Sequence, residues 1–334
     1  MALFGSSGGS ARLTRRTVLS GAAALFAGGA ASALVPAHAL AAELPQLRAA
    51  ATGWTGRHGE LLVLTADRVT ETDYAIRVLD AVLPEGPSDA NGAPEATGEL
   101  GPPLDVPLPA GFHPHSMAAL GPALWITGAL EEGHDASRPA LVRIEDGAAE
   151  YVDLPLPPQI RSGIAAAIAP VGESGLAVVM EGCPDPHLAL VTRCHLALSE
   201  DAGRTWTEQL IAENLGEGYG TVLAETDEGL FAVVGDGADS QTIHVGERSG
   251  DLVLAPVANL PGAGRPMAVV ASESHVSVFS DQEGAVAETR FTAEGAPLET
   301  AADCACRGEI LAVAGRRGLW LETDGSAVRI RGDR

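Results

Sequence analysis

Ser199-Glu200-Asp201-Ala202-Gly203-Arg204-Thr205-Trp206 reads as a hairpin turn built by its own residues. Gly203 permits the positive φ that a tight turn requires, and the Asp201 carboxylate can accept bonds from the turn amides. Trp206 places a large ring at the start of the strand that follows, where burial rewards it. A lone Asp-Gly would say little. Five residues at fixed spacing, Ser199, Asp201, Gly203, Thr205 and Trp206, say that one strand ends here and another begins.

Outward from this turn the same organisation recurs. A glycine or small polar residue precedes a strand-like apolar run at Gly59–Leu64, Gly121–Ile126, Gly175–Val179, Gly229–Val234, Ser274–Phe279 and Gly308–Val313. Another short apolar stretch stands before most of these runs, as in Ser116–Leu120, Gly163–Val171, Tyr219–Ala224 and Pro266–Ala271. A third run follows, then an acidic or glycine turn such as Asp146-Gly147, Gly250-Asp251, Glu294-Gly295 or Asp324-Gly325, then a fourth run. Short apolar runs between Gly, Pro, Asp and Asn clusters, without a helical period, mark an all-β chain. Four strands per unit, repeated about six times at roughly 35 to 60 residues, predict a β-propeller of about six four-stranded blades, or seven. A β-sandwich would not repeat a four-strand unit at this period. Leu44–Thr52 is expected to add a strand to the last, short unit and so close the ring, and Pro84–Gly111 is expected to be a long Pro/Gly-rich loop inside the first blade.

The Ser199–Trp206 segment resembles the Asp-box of the sialidase-like and related BNR-repeat propellers, matching Ser-x-Asp-x-Gly-x-Thr-Trp at every fixed position. The resemblance implies that this turn joins the third and fourth strands of a blade, on the face away from a substrate site, so that Asp201 and Trp206 serve stability. Sialidases of this kind hold a substrate carboxylate with an arginine triad, the first arginine lying in an Arg-Ile-Pro segment. Here Arg161 is followed by Ser162-Gly163 and Arg265 by Pro266-Met267, which departs from that pattern.

The chain of 334 residues carries 21 Lys+Arg against 44 Asp+Glu, a formal net charge of −23. Every basic residue is an arginine. Such acidity excludes nucleic acid and anionic lipid as partners, since both must be neutralised by basic residues. With 46% hydrophobic residues the chain can bury a core. The first 42 residues contain Arg12, Arg15 and Arg16 and no acid. Arg15-Arg16 ahead of an uncharged Ala/Gly-rich run from Val18 to Val35 has the pattern of a twin-arginine (Tat) export signal, with small-residue cleavage sites after Ala39 or Ala41. Residues 1–41 are therefore expected to be a signal and 42–334 a single exported domain, soluble, monomeric and off the membrane once the signal is removed.

In a propeller the loops leading into the first strand of each blade, and those joining second to third strands, share one rim. Projecting the repeat puts His113, His115, Arg161, Glu217, Tyr219 and Arg265 in the first set, and His134, Asp135, Cys183 to Cys194, Asp236, Asp239, Asp281 and Glu283 in the second. No cofactor is expected. His113-Pro114-His115 in an extended segment would put two imidazoles on one side, where with His134 they would make a divalent-metal site. Among the aromatic residues, Phe112 and Tyr219 project to the rim. Cys183 and Cys194 bracket a loop between two strand-like runs, and a disulfide between them would restrain about ten residues by roughly 2 to 3 kcal/mol; Cys304-Ala305-Cys306 stays open between thiols, a strained bridge and a soft-metal pair. These features favour a binding or scaffolding module for an extracellular glycan, small molecule or protein. The alternatives are an exo-acting glycoside hydrolase of the sialidase type, with Arg161, Arg265, Tyr219 and Glu217 as its catalytic residues, and a metal-dependent enzyme on the histidines.

Overall fold

The computed structural model describes residues 44–332, apart from 53–59, 68, 71–72, 82–94, 133–135, 186–192, 214, 216–219, 236–239, 249–251, 262–263, 283–284, 302–305, 307 and 326. The described residues form strands and turns without a helix. Strands β1 (Gln46–Thr52), β2 (Leu61–Ala66), β3 (Tyr74–Asp80) and β4 (Glu95–Pro103) come first. Four antiparallel four-stranded sheets follow, each in sequence order. The first contains β5 (Phe112–Leu120), β6 (Ala123–Glu131), β7 (Ser137–Glu145) and β8 (Ala148–Val152). The second contains β9 (Ser162–Val171), β10 (Gly175–Cys183), β11 (Arg193–Ser199) and β12 (Thr207–Glu213). The third contains β13 (Thr221–Glu225), β14 (Gly229–Gly235), β15 (Ser240–Glu247) and β16 (Ala255–Pro261), and the fourth β17 (Arg265–Ala271), β18 (Val276–Gln282), β19 (Ala285–Phe291) and β20 (Pro297–Ala301). Finally, β21 (Glu309–Ala314), β22 (Leu319–Thr323) and β23 (Val328–Gly332) join β1 to β4 in a closed seven-stranded sheet ordered β1-β2-β3-β4-β23-β22-β21.

The second strand of each unit shows why the sequence folds this way. β6, β10 and β14 are near-continuous apolar runs because neighbouring sheets cover both of their faces. Alternate residues of β14 go to different cores, Leu230, Ala232 and Val234 to the one shared with β9 to β12, and Phe231 and Val233 to the one shared with β17 to β20. Six such apolar clusters connect the sheets in a cycle, the last two joining β17–β20 to β21–β23 and β21–β23 to β1–β4. The first strands follow the same order, with β1, β5, β9, β13, β17 and β21 each packed against the next and β21 against β1. This arrangement is consistent with a β-propeller whose first strands surround an axis.

Closure differs from the sequence expectation. β1 pairs along its length with β2, as the innermost strand of the first unit, and meets β21 only through Ala50 and Ala51. The strand beside β23 is instead the first half of β4, with Val328 opposite Gly98 and Arg331 opposite Glu95. Its second half pairs with β3. The stretch read as a loop from 84 to 111 thus contains a nine-residue strand that completes two units at once. Its Pro102 and Pro103 hid it, since proline is unfavourable in a sheet interior but tolerated at an edge.

The Ser199–Trp206 turn joins β11 to β12, and its local geometry matches the reading of its residues. The Asp201 carboxylate accepts bonds from the Arg204 and Thr205 amides at 3.1 and 2.8 Å and from the Ser199 and Thr205 hydroxyls. These bonds hold its carboxyl down at about 2. Gly203 has φ 77° and lies between two rings, so that a Cβ there would sit 3.0 Å from Trp125 and 3.4 Å from Trp206.

One buried group predicts an acid-sensitive fold. His244 on β15 is 2% exposed, and neither ring nitrogen has a hydrogen-bond partner. Burial lowers its imidazole from 6.5 to about 4. Between those values the unfolded chain binds a proton that the folded chain refuses, so stability is present above pH 6.5 and falls as pH drops toward 4. The loss amounts to roughly 3 kcal/mol at about 1.36 kcal/mol per unit. His244→Leu should flatten this part of the stability profile, measured as urea midpoints from pH 7 to 4.5. An unchanged slope would contradict the assignment.

Candidate functional site

The first strands begin at one end of the axis, and there three of them carry a bulge near their start. Arg48 is the extra residue on β1, between Leu47 and Ala49. His115 is the extra residue on β5, and Met267 on β17. A bulge turns a side chain away from the alternation of its strand. Here it separates the two histidines. His113 reaches toward the first unit and touches Tyr74, whereas His115 lies within the electrostatic reach of Arg48 and of Arg265, the first residue of β17.

His115 is exposed at its surface yet closely surrounded by protein. These surroundings push its imidazole down from 6.5 to about 4, and the charges of Arg48 and Arg265, with that of His113 whenever it is protonated, add to the shift. Arg265 is exposed and Arg48 half-buried, and neither makes a hydrogen bond or ion pair with a described residue. The Nε of Arg48 is buried without a partner. Below them, Glu181 on β10 is 2% exposed and accepts the Thr221 hydroxyl at 2.5 Å, with the Thr221 and Gly220 amides adding to the bond set. Burial raises its carboxyl, opposed by those bonds and by the charge of Arg265. Two guanidiniums and a neutral imidazole within one another's electrostatic reach, with Glu181 tied to Thr221 and Asp281 opposite Arg265 on β18, can hold an anion.

Beside this cluster runs a second set of polar groups. Tyr74 Oη is 3.1 Å from His113 Nδ1, and His113 Nε2 is 2.7 Å from Glu131 Oε1. The residues come from the start of β3, the start of β5 and the end of β6.

Of the sequence candidates, the structure brings together His113, His115 and Arg265. Arg161 lies just before β9, exposed, its amide bonded to the Cys183 carbonyl. Glu217, Tyr219, His134, Asp135, Asp236, Asp239 and Glu283 lie outside the described residues, as does Cys304. The shared metal side expected for His113 and His115 is corrected by the bulge between them and by the bonds that occupy both ring nitrogens of His113. Among the described residues no group of three ligating side chains is suited to a metal. The Cys183–Cys194 disulfide is likewise corrected, since both are buried and neither forms a disulfide. Cys194 lies opposite Glu181 on β10, which makes Cys183 its diagonal neighbour at roughly 7 Å, beyond the reach of a disulfide of about 4 Å between Cβ atoms. Phe112, expected at the rim, is 3% exposed and packs edge-on against Tyr151. Arg48 and Tyr74 were missed, and only the bulge and the packing of separate sheets reveal them.

At the opposite end of the strands, a crevice is lined by Val171, Ser174, Leu198, Glu200, Arg248 and Leu252. Its arginine is paired with Glu225 and so is not left to hold an anion.

No family model matches the chain, and no curated protein matches it. Among solved structures, a glucose dehydrogenase aligns with a TM-score of 0.55 at 12% identity, covering 87% of this chain and 97% of that one. The aldose sugar dehydrogenase of Streptomyces coelicolor aligns with a TM-score of 0.52 at 14% identity, covering 88% and 96%. A Hadza microbial sialidase aligns with a TM-score of 0.54 at 10% identity, covering 87% of this chain and 65% of that one. At such identities the likeness is one of fold.

Proposed function

We propose that residues 42–334 form a six-bladed propeller that works outside the cytoplasm as a binding module for a small hydroxylated acid, a sugar acid above all, at the mouth of its axial channel. The observation that carries this reading is the pair Arg48 and Arg265, which make no ion pair with a described residue in a chain where acids outnumber basic residues 44 to 21. In so acidic a protein an uncommitted guanidinium is readily neutralised from within, and two of them around one channel favour a ligand that brings its own negative charge. The company of sugar-handling proteins among the fold neighbours supports a sugar as the rest of the ligand. Calorimetric titration with glucuronate, N-acetylneuraminate and neutral glucose tests it. At least one acid should bind and glucose should not; equal binding of glucose, or binding of none, would overturn the reading.

Export by the twin-arginine route belongs to the same proposal and rests on Arg15-Arg16 and the uncharged run after them. Changing both residues to lysine should retain the chain in the cytoplasm on cell fractionation, and undiminished export would remove this part of the proposal.

A further inference from the structure

The Tyr74–His113–Glu131 chain has a direction. An ionised carboxylate only accepts, so Glu131 holds the hydrogen on His113 Nε2, which leaves Nδ1 as the acceptor for the Tyr74 hydroxyl. The phenol therefore faces a base that is itself oriented by an acid. Glu131 and His113 are 60% and 29% exposed at the side chain, and the two rings meet edge to face at 5.9 Å, so the relay is ordered yet reaches solvent. It also borders the channel mouth, because His113 and His115 flank Pro114 and feel one another's charge. A hydrogen-bonded pair that served only to staple two sheets would not require a third, exposed carboxylate behind it.

We propose that Tyr74 is a catalytic proton-transfer group, with His113 and Glu131 as its positioning residues, and that the site interconverts the anomers of a cyclic sugar acid held by Arg48 and Arg265. The substrate class rests on the proposed function. Opening a cyclic hemiacetal requires that the anomeric hydroxyl lose a proton and the ring oxygen gain one. The anomeric O–H proton passes to Tyr74 Oη while the phenol proton passes to His113 Nδ1, and Glu131 stabilises the imidazolium. The electron pair left on the anomeric oxygen forms the carbonyl as the bond from the anomeric carbon to the ring oxygen breaks, and the ring oxygen takes its proton from water. The hydroxide left behind is neutralised when the relay returns its proton. Closure on the other face of the carbonyl gives the second anomer by the reverse steps, with no change of oxidation state.

The test is NMR saturation transfer between the anomers of glucuronate, galacturonate and N-acetylneuraminate, with calorimetric binding measured on the same samples. The full chain should accelerate exchange of at least one acid over buffer. Tyr74→Phe should lose about 100-fold or more of that acceleration while binding within about threefold of the parent, and Glu131→Gln should lose less and shift the pH profile of exchange. Matching thermal melts establish that both variants fold. Binding with exchange at the buffer rate, or acceleration that survives Tyr74→Phe, would overturn the relay and leave the binding reading intact. Failure of all three acids to bind would overturn both.

Discussion

Replacing Arg48 and Arg265 together by alanine is expected to weaken binding of the preferred sugar acid by at least about 100-fold. A hydrogen bond to a charged group contributes about 1.5–3 kcal/mol, which is roughly 10- to 100-fold for each arginine. The double substitution should leave the fold intact, because Arg265 is exposed and the buried Nε of Arg48 has no bond to lose. Arg204, on the β11–β12 turn at the other end of the strands, supplies the control, and its replacement should leave affinity unchanged. Binding should also tighten as pH falls from 7 toward 5. An anion beside His115 favours the imidazolium, whose folded value is held near 4 by its surroundings and by Arg48, His113 and Arg265, so a bound anion draws a proton in. Glu181 lies in the same neighbourhood with its carboxyl raised by burial, and protonating it acts in the same direction, since it removes a negative charge beside the anion. Calorimetry on the variants at two pH values would show both effects, and affinity unchanged in the double variant would remove the arginines from the site.

The largest loss of stability is expected from Trp125→Ala. Trp125 on β6 is 1% exposed and packs in the core between the second and third units with Met180, Leu176 and Ile160. Its ring touches the position of Gly203 in the β11–β12 turn and lies 5.7 Å from the Arg143 guanidinium. Truncating a large buried aromatic side chain costs about 3–5 kcal/mol, through lost transfer energy and the cavity left behind. Trp125→Phe is the informative companion, because the indole N–H is buried without a bond and its removal costs nothing in hydrogen bonding. The phenylalanine variant should therefore lose much less than the alanine one. Equal urea midpoints for the parent and Trp125→Ala would mean that this contact between units does not hold the ring together.

This contact also shows which parts of the structure could be read from sequence. The Ser199–Trp206 turn was legible because every bond that defines it is local, from Ser199 and Asp201 to amides at most four residues away. The four-strand repeat was legible because the second strands are apolar on both faces, which leaves a run that composition alone exposes. What the same reading could not supply were properties of register and of long-range packing. Alternation along β5 assigns His113 and His115 to one side, and only the two-to-one pairing around His115 reverses it. Arg48 looks like an ordinary polar residue of an outer segment until β1 is placed on the axis and its bulge is seen. Tyr74 and His113 are 39 residues apart and meet because two sheets pack side by side. Spacing suggested that Cys183 and Cys194 would bridge, yet the pairing of β10 with β11 leaves them on a diagonal.

A crystal structure of the chain with the tightest-binding sugar acid tests the central claim most directly. The carboxylate should lie within about 3 Å of both the Arg48 and Arg265 guanidiniums, with a ligand hydroxyl directed toward Tyr74. A ligand seated elsewhere, as in the crevice between Val171 and Leu252 at the opposite end of the strands, would contradict it.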